Sequence, residues 1–144
     1  MIYDHMVRLL ETNASPNGDL TNADLSNRPL IGADLRRANL SHAILTGAAL
    51  IQANLSHAVL IDADLAGVDF TDSDLTGADF SGANLRDAIF RRAKLTGACM
   101  LQAEVHGADF SDAKAEGAYL GVRHSWPKAE DLIRDGLLDS NGFA

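Results

Sequence analysis

A chain of 144 residues is long enough for one domain with one core. Hydrophobic residues make up 47% of it but aromatics only 6%, so the core must be built from small and aliphatic side chains, which a narrow, regular core allows. The net charge of −8 argues against binding a phosphate backbone, where Lys and Arg must displace counterions, and fits solubility or a basic partner.

The N-terminal stretch, MIYDHMVRLLET, has no basic start, no long apolar run and no small-residue cleavage site, so no secretion signal is expected there. No apolar stretch approaches the ~18 residues that a membrane span requires. Cys99 is the single cysteine, which leaves no intramolecular disulfide and no cysteine metal cluster. A soluble cytoplasmic protein without membrane contact is expected. Ile2, Met6, Leu9 and Leu10 fall at helical spacing and predict a short amphipathic helix. Residues 1–17 are expected to cap one end or pack on a side, with a partner-binding arm as the alternative.

From Leu20 to Leu120 every fifth residue is a centre, 21 in succession without insertion or deletion. Among them only Ala115 is not a sizeable apolar residue. Two places before each centre stands Ala at 17 of the 21 sites, the exceptions being Gly18, Arg28, Val68 and Ser73. A period of five matches neither the 3.6 of a helix nor the 2 of a flat strand. The chain must therefore turn a corner once per repeat, with the centre and the small residue before it pointing inward. Gly recurs two places after the centre, at positions such as Gly32, Gly47 and Gly82, where a tight corner needs it. Four sides close a square, so one coil takes about twenty residues. Coils stacked at the ~4.8 Å strand spacing make a rod roughly 25 Å long. Phe70, Phe90 and Phe110 lie twenty apart and are expected to stack on one side. Phe80 does not fit that sorting.

The motif Ala-Asp/Asn-Leu-x-x, as in Ala33-Asp34-Leu35-Arg36-Arg37 and Ala83-Asn84-Leu85-Arg86-Asp87, resembles that of the pentapeptide-repeat family. The resemblance implies an all-β fold, a right-handed quadrilateral β-helix; the period gives it about five coils over 18–121, and the flanking sequences give it short helical caps at both termini. Handedness comes from the resemblance and not from the period.

Within the first coil Arg28-Pro29 breaks the pattern: Arg exceeds a methyl-sized pocket and Pro cannot donate to a ladder. A bulge or splayed corner is expected. Beyond the repeats, Ser125-Trp126-Pro127 reads as a helix start, followed by an apolar stripe of Ala129, Leu132, Ile133 and Leu137. Residues 122–144 are expected to form a C-terminal helical cap, Ala115 leaving space for Trp126 or Leu132, with a dimer contact as the alternative.

Any site must be built from the outward residues. His42, His57 and His106 fall on three different sides, which excludes convergent metal ligation. No Ser or Cys has a His and an acid at matched register, and no phosphate-binding loop occurs. No catalytic residue, cofactor or metal is expected. Arg91 and Arg92 lie between Asp69 and Asp72 on one side and Asp109 and Asp112 on the other, an arrangement read as a ladder of ion pairs rather than an anion site. Two apolar clusters remain: Pro29, Ile31, Ala49 and Ile51 on one face, Val59, Ile61, Cys99 and Leu101 on another. Exposed stacked Ile side chains are unusual on a monomer, and they are expected to be covered by the chain's own terminus or by a second subunit. On a third face the outward acids Asp24, Asp64 and Glu104 are separated by Ile44 and Asn84.

The candidate interaction surface is thus Ile31, Ile51, Ile61 and Leu101 with Asp24, Asp64 and Glu104. A non-enzymatic interaction or scaffold module with an unknown protein partner is expected, as a monomer or weak homodimer that binds no nucleic acid. The resemblance also implies an alternative, because some relatives are acidic rods that mimic DNA and engage a topoisomerase such as gyrase. With 14 acids and 8 bases between Gly18 and Gly121, the rod would be acidic but interrupted by Arg36, Arg37, Arg91, Arg92, Lys94 and Lys114.

Overall fold

In a computed structural model of the chain, which describes residues 2–119, every bridge joins residue n to residue n + 20. The series runs from Ala14 with Asp34 to Cys99 with Tyr119, and all of its members are parallel. The spacing makes each coil twenty residues and four sides. The sides are named here by their centres. Leu20, Leu40, Leu60, Phe80 and Met100 form the Leu20 face. Leu25, Leu45, Leu65, Leu85 and Val105 form the Leu25 face, and Leu30, Leu50, Phe70, Phe90 and Phe110 the Phe70 face. Ser15, Leu35, Leu55, Leu75, Leu95 and Ala115 form the fourth, the Leu35 face. All these centres are buried.

The five positions of the motif each answer one backbone requirement. The centre donates upward, as Leu45 N does to Asp64 O at 2.8 Å, and so does the residue two places on, Gly47 N to Ala66 O at 2.9 Å. The residue before the centre donates downward, as Asp64 N does to Ala43 O at 2.9 Å. Ala48 N then closes the corner onto Leu45 O at 2.9 Å. In every corner from Asn17 to Gly117 the second place after the centre has a positive φ, 55–62° for the non-glycine residues and 67–76° for glycine. One positive φ at the second central residue is the mark of a type II turn. The left-handed region costs an L-residue roughly 1–2 kcal/mol, and Asn, Asp, His, Gln and even Arg accept it here because the ladder satisfies three backbone amides per corner.

The small residue on the inside of the corner packs where Ala33, Ala58 and Ala88 are fully buried. Three of its four exceptions each have a reason. A Cβ on Gly18 would stand 2.8 Å from the Ser15 carbonyl oxygen. Ser73 turns its hydroxyl back to donate to Phe70 O at 2.6 Å. Arg28 turns outward and is exposed. The chain does not bulge at Arg28-Pro29, contrary to the expectation from sequence. Pro29 bridges Ala49 in register, Ala49 N donates to Arg28 O at 3.0 Å, and Leu30 is buried. The residue before a centre donates to the coil beneath, and Pro29 lies in the first coil, where no earlier coil offers that acceptor. Proline there removes an unpaired donor from a sheet edge.

The phenylalanines are ordered as well. Phe90 stacks on Phe70 at 5.1 Å and on Phe110 at 4.9 Å, with interplanar angles of 15° and 2°. Phe80 enters from the opposite face and meets Phe70 and Phe90 edge-on, at 5.9 and 6.0 Å. The residue that did not fit the sorting by face locks two members of the stack together in the arrangement aromatic quadrupoles prefer.

Helix α1, Ile2–Thr12, lies against the start of the ladder. Asp4 in its first turn suits the helix dipole. Asn13, with φ 59°, ends it: its amide donates to Leu9 O at 2.8 Å. Leu9 is 1% exposed within the core and Met6 packs against it, whereas Leu10 remains 44% exposed. Two further bonds fasten the helix to the first coil. His5 Nδ1 accepts from Asp19 N at 2.7 Å, and Asn13 Nδ2 donates to Ile31 O at 2.8 Å. The expected C-terminal cap, 122–144, and the fit of Trp126 or Leu132 beside Ala115 lie outside the described residues.

Candidate functional site

The Ala-Asp/Asn-Leu motif puts a carboxylate or amide just outside each core leucine, and its oxygen has a local task. The residue after each centre has a backbone amide that the ladder does not use. Asp or Asn two places earlier accepts from it, as Asp24 Oδ1 does from Ser26 N at 3.0 Å and Asp79 Oδ1 from Ser81 N at 2.9 Å. Where that residue is Ser or Thr, its hydroxyl donates to the same oxygen: Thr21 to Asp19 at 2.7 Å, Ser81 to Asp79 at 2.6 Å. These are Asx-type bonds between neighbours. The D-x-S/T spacing, repeated at Asp19, Asp24, Asp69, Asp74, Asp79 and Asp109, was legible in the sequence. Its meaning depends on knowing which amide the ladder leaves over.

The hydrogen bonds also move the carboxyl groups' acidity. The Thr21 hydroxyl and amide hold Asp19 below the usual carboxylate range, and those of Ser26 do the same for Asp24. The guanidinium of Arg36 lowers Asp34, and that of Arg92 lowers Asp72. Asp109, bonded first by the Ser111 hydroxyl and then by the Ser111 amide and Arg91, is lowered to about 2.

Arg91 and Arg92 are committed to carboxylates on neighbouring coils. Arg92 forms a forked pair with Asp72 at 2.8 and 3.0 Å, with Asp112 adding to the field, while Arg91 reaches up to Asp109 at 2.6 Å. Arg86 pairs with Glu104 at 2.9 Å, and Arg36 with Asp34 in its own repeat at 2.8 Å. Exposed pairs of this kind contribute little individually, yet they occupy cations that would otherwise be open to an anion.

The structure distributes the sequence candidates over three sides. Asp24, Asp64 and Glu104 share the Leu25 face, and each has a neighbour: Ser26 for Asp24, Ala66 N and Asn84 Nδ2 for Asp64, Arg86 for Glu104. Ile44 between them is 43% exposed. Ile61 and Leu101 share the Leu20 face, Ile61 half-buried and Leu101 41% exposed, with Ser81 on the coil between them. Tyr119, which sequence reasoning left out, stands above Cys99 on that face and is 64% exposed. Ile31 and Ile51 share the Phe70 face on adjacent coils, beside the bridged pair Pro29 and Ala49, and so form one contiguous apolar block. Helix α1 does not cover it: Ile31 is 52% exposed. A small cavity of about 170 Å³, lined by Leu9, Leu10, Asn13, Arg28, Pro29 and Leu30, lies between α1 and the start of this face.

Among the described residues no group of three or more His, Cys, Asp or Glu could hold a metal ion, and no helix is long and apolar enough to cross a membrane.

The comparisons agree with this architecture. Rfr23, a pentapeptide-repeat protein of the cyanobacterium Cyanothece 51142, superimposes with a TM-score of 0.83 at 23% identity, over 88% of this chain and 100% of its own. HetL of Nostoc sp. strain PCC 7120, a pentapeptide-repeat protein involved in the regulation of heterocyst differentiation, matches with a TM-score of 0.68 at 28% identity. That match covers 72% of this chain and 44% of HetL. A further pentapeptide-repeat protein of Nostoc PCC 7120 matches with a TM-score of 0.62 at 27% identity, over 76% and 94% of the two chains. No curated protein matches by sequence. The fold of these solved relatives is the right-handed quadrilateral β-helix. The family model for pentapeptide repeats matches residues 19–56, 53–92 and 88–121, and the chain belongs to the pentapeptide-repeat family.

Proposed function

We propose that the protein is a non-enzymatic interaction module of the cytoplasm whose binding surface is the lower half of the Phe70 face. The observation that carries this reading is the contrast between sides. Wherever the motif places an acid, one or both of its oxygens accept a bond within the rod, whereas Pro29, Ile31, Ala49 and Ile51 form a block of apolar side chains that α1 leaves open. A rigid, flat side pre-organises such a block and lowers the ordering cost of association. The free Cys99 fits a reducing compartment. HetL's part in a regulatory process is consistent with a role through binding.

The alternative of a DNA-mimicking acidic row has less support. Along the Leu25 face Ile44 and Asn84 interrupt the acids, and Glu104 is neutralised by Arg86.

Capture on the immobilised chain tests the proposal, with an Ile31→Asp, Ile51→Asp variant as control. Wild type should retain a protein, another species or its own chain, that the variant loses. Identical retention by both would contradict it.

A further inference from the structure

The coils are charged in bands. Residues 61–80 carry six acids and no base, while residues 41–60 carry no formal charge at all. Residues 21–40 carry Arg28, Arg36 and Arg37 against Asp24 and Asp34. The uncharged coil is therefore flanked by a cationic coil below and a strongly anionic coil above. On the Phe70 face Ile51 belongs to the uncharged coil, Ile31 and Arg28 to the cationic one, and Asp69 and Thr71 to the anionic one.

We propose that the second copy of this chain is the occupant of this face, packed side by side and antiparallel, with Ile51 on the partner's Ile51 and Arg28 against the partner's Asp69. The inference rests on the reading of this face as an interaction surface and names what binds there. A two-fold axis in the plane of the contact, at the height of residues 41–60, sets Arg28 of each copy, the one charge of its coil on this face, opposite the coil of the other that carries Asp69. It also places Ile31 against the methyl group of the partner's Thr71. A parallel pair would instead set the side of each copy that carries Asp69 and Asp72 against the same side of the other, which like-charge repulsion opposes. The groups at the proposed contact are free to make it. Arg28 is exposed, and among the described residues it forms no ion pair. Thr71 engages only Oδ1 of Asp69, which leaves Oδ2 for a donor. With the axis at that height the facing coils are those of residues 21–80, roughly 15 Å of each face, which bury less than a standard interface, so the dimer is weak, with Kd on the order of 10–100 µM.

Sedimentation equilibrium of the full chain, from ~1 µM to several hundred micromolar to bracket that Kd, provides the test. The mass should rise from 15.3 kDa toward twice that value. Ile51→Asp should abolish the rise, and Arg28→Glu should raise Kd about tenfold or more. Arg28→Glu combined with Asp69→Arg should return Kd to within about threefold of wild type, the charges being exchanged across the axis. Thermal melts of each variant separate loss of contact from loss of fold; Arg28→Glu alone, at an exposed side chain, keeps the test valid if Asp69→Arg unfolds. A 15.3 kDa species throughout, association that survives Ile51→Asp, or indifference to Arg28→Glu would each overturn the proposal. A monomer that still captures another protein through Ile31 and Ile51 would remove self-association alone. A monomer that captures nothing would remove the interaction reading as well.

Discussion

The Asp or Asn before each core leucine looks from outside like solvent-facing charge, yet its first partner is a backbone amide two residues on. Asp79→Ala should cost about 1 kcal/mol in a denaturant melt, because Ser81 loses both the amide and the hydroxyl bond, whereas Asp79→Asn should keep most of that stability. A large loss in Asp79→Asn would mean that charge, and not the Asx-type bond, is what matters. The corner residues invite a paired comparison. Gly67 and Gly82 have φ of 67° and 70°, but a Cβ at Gly67 meets open space and one at Gly82 runs into the Asp62 carboxylate. Gly82→Ala should therefore be the more destabilising of the two, but only by a few tenths of a kcal/mol, since the exposed Asp62 carboxylate can turn aside to another rotamer; a loss at Gly67 larger than at Gly82 would contradict the crowding. The acids tie stability to pH in a definite direction. Asp19, Asp24, Asp34, Asp72 and Asp109 are all lowered in the folded chain. The folded state thus gains in full above the ordinary carboxylate value of about 4 and loses that gain as pH falls toward the folded values, about 2 for Asp109. Thermal midpoints should drop between pH 4 and pH 2, and a flat profile there would count against these bonds.

At the scale of elements, the period of five is enough to specify the coil, its four sides and the inward residues. Three features needed the third dimension. Phe80 looked misplaced because sequence spacing assigns a side chain to a face but says nothing of its height between layers, and its edge contacts arise from height. Arg28-Pro29 looked disruptive because a proline's cost depends on whether a neighbouring coil awaits its amide, and in the first coil none does. The half-burial of Ile51 and Ile61 arises from neighbours stacked above and below, which a repeat pattern does not resolve. Packing gives the expected magnitudes. Phe80→Ala should cost about 3–5 kcal/mol, since it removes two edge contacts and opens a void between Phe70 and Phe90. Leu9→Ala should cost about 2–4 kcal/mol if α1 closes the core. A near-neutral Leu9→Ala would instead describe a helix that merely rests on the rod.

Taken whole, the molecule devotes its repeated residues to the coil and differs from side to side only in what remains. The aspartates before the core centres are bonded within their repeats, Arg86, Arg91 and Arg92 pair with carboxylates on the coils above and below, and the uncharged coil carries Ile51 next to Ile31. That uneven distribution was only partly legible in sequence. The Ile residues were visible there, but which acids were engaged, and that α1 leaves Ile31 open, depended on the packing. The most direct test is a methyl NMR dilution series of the isotopically labelled chain, read at the isoleucine δ-methyl groups. The Ile31 and Ile51 signals should shift with concentration while those of Ile44, Ile61 and Ile89 stay fixed. Shifts centred on Ile61 or Ile44, or none at Ile31 and Ile51 in the presence of any captured protein, would contradict the assignment of the binding surface to this face.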